Sequence, residues 1–251
     1  MNIVTDIGPF LKEKANSNLK KGFPLVVFSY LFMWITGTDF FIIHVDLGKI
    51  GPPSQFLAGI IFAYGLWQFM VPAKYYRAGL NGERKVVNNI STKLGSANFL
   101  FNDISFKDGN RGNIDHIIVS EHGIFVIETK NIEGEITIDE NYWKGKGFKQ
   151  SPSNQAITNA ARVRELLENQ KVLDRPVPYV NAIVVLTNPK LKIHYLKKPS
   201  EPKIIDLKDE NDSSLKDYVL SFSPTFLTYK EVTDIVSCID YSRLSKTQFS
   251  K

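Results

Sequence analysis

Cysteine is all but missing from this chain. Cys238 stands alone, so no disulfide framework can form within it, and no Cys/His spacing of the kind that holds a structural metal is present. The lone thiol falls in an apolar helical pattern, which predicts a packed residue in a reducing compartment. Histidine is scarce too, at four residues, and no Ser-His-Asp or Cys-His arrangement supports covalent nucleophilic catalysis. A phosphate cradle is also lacking, because Lys144-Gly145-Lys146-Gly147 has neither the spacing nor the helix start of a P-loop. There is no internal repeat and no long low-complexity tract. With 31 Lys and Arg against 26 Asp and Glu, the net charge of +5 is modest, so the placement of charge matters more than its sum.

What is present is more specific. Asp115 and the run Glu128-Thr129-Lys130 bring together two carboxylates and a lysine at a spacing able to hold a divalent metal against a phosphodiester. Two β-rich runs, residues 113–120 and 123–130, flank Glu121-His122, which predicts a hairpin. With a two-residue loop, Ser120 pairs with Gly123, and counting outward sets Asp115 opposite Glu128, with Cβ atoms about 4.5 to 5.5 Å apart. Strand alternation turns Val126, Glu128 and Lys130 to one face and Phe125, Ile127 and Thr129 to the other. An aspartate between apolar neighbours is disfavoured in a strand and needs a partner once buried. A metal site and a structural Asp115–Lys130 salt bridge both answer that need. His116 lies on the opposite face and is expected to be packed or hydrogen-bonded, whereas His122 is expected to be exposed in the turn.

Two apolar runs lie near the N-terminus, Phe23 to Ile35 (extended by Phe40 to Val45) and Phe56 to Val71. Counted with their polar ends or tilted, each approaches the 17 to 25 residues that span a bilayer core. A cleaved signal peptide fits less well, since the first run begins past residue 20. The expectation is a cytoplasmic segment at 1–22 and a two-helix membrane hairpin at 23–73, turning through residues 46–55. Buried or interfacial helices are the alternative, because Asp39 is costly at membrane depth. Lys12, Lys14, Lys20 and Lys21 before the first run and Lys74, Arg77, Arg84 and Lys85 after the second place both ends in the cytoplasm.

Beyond the hairpin the pattern reads α, β, β, β, α, β. A helix is predicted from Glu83 to about Leu94, entered through Asn81-Gly82, with Val86, Val87, Ile90 and Leu94 on its apolar face. Strands follow near 98–106, in the Asp115 hairpin and near 135–138, then a turn through 141–147. Ser153 is the expected cap of a second helix reaching about Asn169, and Pro176 to Leu186 reads as a strand buried on both faces. Lysines 190, 192, 197, 198 and 203, with His194 and Tyr195, read as a basic loop able to meet phosphate or anionic lipid. Leu227 to Ile239 reads as a last helix, capped by Thr228.

This order, with Asp115 and Glu128-x-Lys130, resembles the restriction-endonuclease-like fold of PD-(D/E)xK metal-dependent nucleases. The finer similarity, over about residues 81–190, is to the NERD family, the nuclease-related domain. It rests on Gly82-Glu83, Ile114-Asp115-His116, Gly123 through Asn131 with Gly134, Trp143, and Pro152-Ser153-Asn154-Gln155. The family often has Asn-Pro where this chain has Ser151-Pro152. The resemblance implies an α/β fold with an αβββαβ core and a mixed sheet, preceded here by the two expected transmembrane helices. Residues 191–251 would add a basic loop and a helix packed on that domain.

The resemblance further implies that Glu83, Asp115, Glu128, Lys130 and Gln155 surround an active site. Asp115 and Glu128, with the Thr129 carbonyl, offer hard oxygen ligands suited to Mg2+ or Mn2+, and Lys130 would orient water or neutralise charge on the phosphate. A glutamate in a helix's first turn also stabilises the helix dipole without any chemistry, so Glu83 stays open between the two roles. Lys144, Lys146 and Lys149, beside Trp143 and Phe148, form either a nucleic-acid-binding loop or a solvated tip with an aromatic packed inward. The expected protein is a membrane-anchored, cytoplasm-facing nuclease acting on DNA more than RNA. A non-catalytic nucleic-acid-binding or scaffold protein of the same fold is the alternative.

Overall fold

The computed structural model describes residues 1–7, 9–35, 52–106, 112–145, 148, 150–207, 209, 211–223 and 226–247. In chain order the elements are β1 (Asn2–Ile3), α1 (Pro9–Ile35), α2 (Pro52–Lys93), β2 (Phe99–Ile104), β3 (Ile114–Ser120), β4 (Gly123–Lys130), β5 (Gly134–Asp139), β6 (Tyr142–Gly145), α3 (Pro152–Asn169), β7 (Val180–Leu186), β8 (Leu191–Lys197), β9 (Lys203–Asp206), α4 (Ser214–Leu220) and α5 (Tyr229–Thr247). They divide into two compact units, one made of Met1–Pro9 with Gly79–Lys251 and the other of Phe10–Ala78.

In the larger unit six strands form one mixed sheet in the order β1-β2-β3-β4-β7-β9. Neighbours β2, β3 and β4 run antiparallel, while β4–β7 and β7–β9 are parallel. The central strands β4 and β7 carry long β-branched runs because both of their faces are covered. Ile117, Val119, Ile124, Val126, Ala182 and Val184 pack on one face with α3 and α5. Ile118, Phe125, Ile127, Ile183 and Val185 pack on the other with the end of α2 and with α4. The strand period of two thus sorts alternate residues into two hydrophobic layers. The hairpin has Ser120 opposite Gly123 and His116 opposite Ile127, the register that a two-residue turn demands.

Several local expectations need correction. No helix starts at Glu83: α2 runs unbroken through Asn81 and Gly82. The cap of α3 is Ser151, whose hydroxyl accepts from the Asn154 amide with Pro152 in the first turn, whereas Ser153 is buried and accepts a hydrogen bond from Trp143. Residues 142–145 are strand rather than turn. The expected basic loop is largely the strand β8, which pairs with β5 in a second sheet of order β6-β5-β8. There Lys190 and Lys192 meet Glu133 and Glu135 at 3.3 Å, and Lys197 meets Glu140. Thr228 caps α5 as expected: its hydroxyl accepts from the Glu231 amide, and the Glu231 carboxylate reaches back to the Thr228 amide at 2.8 Å.

In the smaller unit the side of α2 near Gly65 lies against Leu25 and Val26 of α1, where a methyl group would stand about 3.0 Å from Val26. Phe23, Phe28, Tyr30, Leu31, Ile60, Tyr64 and Trp67 are exposed there. No helix among the described residues is long and apolar enough to cross a membrane, which removes the support for a two-helix transmembrane hairpin. The first half of α1 is polar, with Lys12, Glu13, Lys14, Lys20 and Lys21. That leaves an apolar stretch from Phe23 to Ile35, about 20 Å of helix against a hydrocarbon core of about 30 Å. The apolar stretch of α2, Phe56 to Val71, reaches about 24 Å before Lys74. Asp39, the expected extension of the first run from Phe40 to Val45, and residues 46–51 of the expected turn lie outside the described residues.

Candidate active site

Continuing the β3–β4 register by one step brings Asp115 to Glu128, at the end of the hairpin away from its turn. Both side chains share the parity of Ile117 and Val126, so they project on the α3 side of the sheet. An Asp115 carboxylate oxygen accepts from the Thr129 backbone amide at 2.7 Å, tying the two strands together below the last β4 residue. Glu128 is buried, and one of its oxygens receives the Lys130 ammonium at 2.5 Å. Its other oxygen receives the Asn159 carboxamide of α3 at 3.5 Å.

Glu83 arrives from α2. Gly82, the residue before it, is pressed so closely against the strand ends that an added Cβ would lie 2.9 Å from Asn131 Cβ and Thr187 Oγ1, and 3.3 Å from Thr129. Only a residue without a side chain permits that approach. Glu83 is 93 % removed from solvent, being 7 % exposed. Burial first, then the charges of Asp103 and Glu128, raise its pKa to about 7, with Lys130 opposing. Asp115 is raised well above the ordinary carboxylate range, first by burial and next by the charge of Glu128. The ammonium of Lys130 is held charged above its usual value: burial, the largest influence, works against this, but Glu128 and Asp115 together outweigh it. Three carboxylates therefore share one buried cation, a surplus of negative charge that a hard divalent ion is suited to relieve.

The donor chemistry of Asp115, Glu128 and the Thr129 carbonyl fits Mg2+ or Mn2+. In the arrangement seen, however, no group of three or more His, Cys, Asp or Glu among the described residues is placed to hold a metal. Lys130 and Asn159 engage the two Glu128 oxygens instead, and the Thr129 amide engages one oxygen of Asp115.

The other expected residues separate. Gln155 is half-buried one helical turn before Asn159, and no side-chain hydrogen bond joins it to the carboxylates among the described residues. Lys144 is exposed on β6, while Lys146 and Lys149 lie outside the described residues. Trp143 is buried, and Phe148 meets it edge to face at 5.6 Å, so both rings turn inward and neither is offered to a base. His116 is fully buried with Nδ1 at 2.8 Å from Asn102 Oδ1, and burial lowers its pKa to about 3. His122 is half-buried rather than exposed, with Nδ1 2.7 Å from the Phe222 carbonyl.

Asn159 and Arg162 belong to the site and were not anticipated. Arg162, 4 % exposed, donates to Asn159 Oδ1 at 2.9 Å and to the Gly112 carbonyl at 3.2 Å, which turns the Asn159 amide nitrogen toward Glu128. The spacing of residues 155, 159 and 162 was the available signal: it is a polar stripe at helical period beside the apolar face of α3.

A mixed α/β sheet with acidic residues gathered where its central strands end fits a nuclease-like fold. Residues 78–187 match the family described as NERD, the nuclease-related domain. An uncharacterized protein of Bacillus anthracis is 32 % identical over 102 residues, covering 37 % of this chain and 48 % of the relative. The chain thus spans about half the length of the curated relative it matches. No solved structure gives a significant match.

Proposed function

We propose that the domain containing residues 78–187 is a divalent-cation-dependent nuclease that hydrolyses phosphodiester bonds, in DNA rather than RNA. The observation that carries this reading is the convergence of Glu83, Asp115 and Glu128 around Lys130, more buried negative charge than any structural ion pair needs. Asp115, Glu128 and the Thr129 carbonyl would hold Mg2+ or Mn2+, which supplies Lewis-acid polarisation of a phosphate oxygen. The chain's own residues do the rest. Lys130 balances negative charge growing on the phosphate. Glu83, with a pKa of about 7, accepts the proton released as a water oxygen bonds to phosphorus; the ester P–O bond breaks in the same displacement, and the departing alkoxide takes its proton from solvent water. Gln155 keeps a carboxamide available for the substrate backbone, and Lys144, with Lys146 and Lys149, extends the phosphate contact along the loop.

The test is cleavage by the purified full-length chain of linear and circular duplex DNA, single-stranded DNA and RNA, with Mg2+, Mn2+ or EDTA. Cleavage of DNA that EDTA abolishes is the expected result. One observation favours a second reading, a non-catalytic nucleic-acid-binding or scaffold domain: both Glu128 oxygens and one Asp115 oxygen are already engaged, by Lys130, Asn159 and Thr129. Binding of DNA without cleavage under every cation would select it.

The same proposal places the protein on the cytoplasmic side of a membrane. Its support is the exposed apolar surface of the Phe10–Ala78 unit, flanked by exposed Lys20, Lys21, Lys74 and Arg77. Reporters fused after residue 21 and at the C-terminus are expected to be cytoplasmic, and the chain is expected to sediment with anionic lipid vesicles. A soluble chain that ignores the vesicles rejects this placement.

A further inference from the structure

Five lysines follow β7 closely, and the second sheet accounts for three of them. Lys190, Lys192 and Lys197 each face a glutamate of the β5 region. The remaining two, Lys198 and Lys203, have no ion pair among the described residues, and both line a single cleft of about 540 Å3. Each ammonium lies over a tyrosine ring, Lys198 at 5.3 Å from the centre of Tyr195 and Lys203 at 5.4 Å from the centre of Tyr218. A third ring, Tyr179, completes the lining and is half exposed. The phenols of Tyr195 and Tyr218 are held above their ordinary pKa by burial and then by Asp206 and Glu201 respectively, so both remain hydrogen-bond donors at neutral pH. Glu201 is the one carboxylate of the lining and stands against two ammonium groups.

The cleft lies at the start of β7, beside Asn181 and Ala182, whereas Glu128 and Lys130 pair with Val184 and Leu186 at its far end. Along the strand Ala182 stands about 7 Å from Val184 and about 13 Å from Leu186, and none of Glu83, Asp115, Glu128 and Lys130 lines the cleft, so the two sites are built from different residues. Its volume falls in the range of pockets that enclose a small organic ligand. Planar phenol rings offer stacking to a flat heterocycle, and unpaired ammonium groups beside them offer a phosphate its counter-charge. One ligand class combines both features.

We infer that this cleft is a second binding site, which takes a nucleotide unit by stacking its base on tyrosine and binding its phosphate through Lys198 and Lys203. The unit can come from a free nucleotide or from a single strand, and the two sources share this chemistry. The inference does not rest on the nuclease reading, because it uses none of the acidic residues.

The experiment titrates the full-length chain in EDTA, which silences any cation-dependent site, with adenosine 5′-monophosphate, decathymidylate and ribose 5-phosphate, followed by calorimetry. At least one of the base-bearing probes is expected to bind about tenfold or more tightly than ribose 5-phosphate, which has the phosphate but no base. Tyr179→Ala, and separately Lys198→Gln with Lys203→Gln, should each weaken that binding about tenfold. Thermal unfolding accompanies each variant, and the two act on different groups, so the one that keeps the parental melting temperature decides. Tighter binding of decathymidylate than of the mononucleotide assigns the site to a strand; the reverse assigns it to a free nucleotide. Absence of binding by both base-bearing probes, equal binding of ribose 5-phosphate, or parental affinity in a folded variant overturns the inference.

Discussion

The larger unit handles charge in two opposite ways. Along β5 and β8, Glu133, Glu135 and Glu140 meet Lys190, Lys192 and Lys197 one to one at the solvent surface. At the end of β4, Glu83, Asp115 and Glu128 share Lys130 in the interior, and two of the three are raised toward the protonated form. Balanced, exposed pairs sit in high dielectric and hold little free energy, so their loss is absorbed by water. An unbalanced, buried group responds strongly to protons and cations because no solvent shell screens it. The difference separates charge that decorates a fold from charge that is poised to act.

The largest effect is expected where that imbalance would do chemistry. Asp115→Ala and Glu128→Ala should each lower cation-dependent cleavage at least about 100-fold, the upper end for residues that only support a metal's ligands. Cleavage is measured beside thermal stability; folded variants that cut at the parental rate would make the acidic cluster purely structural. Asn159→Ala should lose about 10- to 100-fold while both carboxylates remain.

Lys130→Met removes the half-buried cation that meets Glu128 and acts on Asp115 and Glu83. Urea denaturation at pH 8 should show a loss of about 3 kcal/mol, the lower end for a broken buried pair, since Lys130 is partly solvated. At pH 5 the loss should shrink, because Glu83 then carries a proton. An equal loss at both values would show that packing of the lysine stem, not its charge, is what matters.

Glu83→Gln isolates one member. The folded pKa of about 7 lies above the ordinary 4.5, so the protonated side chain favours folding fully below pH 4.5, and that contribution fades as pH rises through 7. The variant and the parent should therefore be alike near pH 4.5, and the variant should be more stable by about 3 kcal/mol at pH 8. The difference between the two curves is the measurement, because His116, lowered to about 3, destabilises the parent toward acid over an overlapping range. A flat difference would remove Glu83 from the electrostatic cluster.

The smallest effect belongs to the exposed ladder. Lys192→Ala should cost less than about 1 kcal/mol, and salt should erase even that. A larger, salt-resistant loss would mean that the two charge patterns are not opposites after all.

The hairpin was legible because strand alternation and a two-residue turn leave one register that buries Ile117, Val126 and their neighbours. Glu83 was placed only by resemblance, since its approach depends on α2 running past Gly82 without a break, which the Asn81-Gly82 pair argued against. Asn159 and Arg162 escaped because their meaning lies across the sheet, in contacts to Glu128 and Gly112 that no local period encodes. The lysines after β7 read as one basic loop, yet strand pairing brought Glu133, Glu135 and Glu140 opposite three of them. The apolar runs of α1 and α2 carried a hydropathy signal whose length, among the described residues, fell short beside the polar first half of α1 and Lys74 of α2.

Gly82 works as a shim of zero thickness. Thr187, Asn131 and Thr129 form the seat on which α2 rests, and the bare backbone sets how far the next residue projects over it. A helix is stiff, so raising it at that point by the width of a methyl group would tilt several turns rather than dent one. The tolerance of the acidic cluster is thus machined into a residue that has no chemistry of its own, and a change there would detune the site while leaving every acid in place.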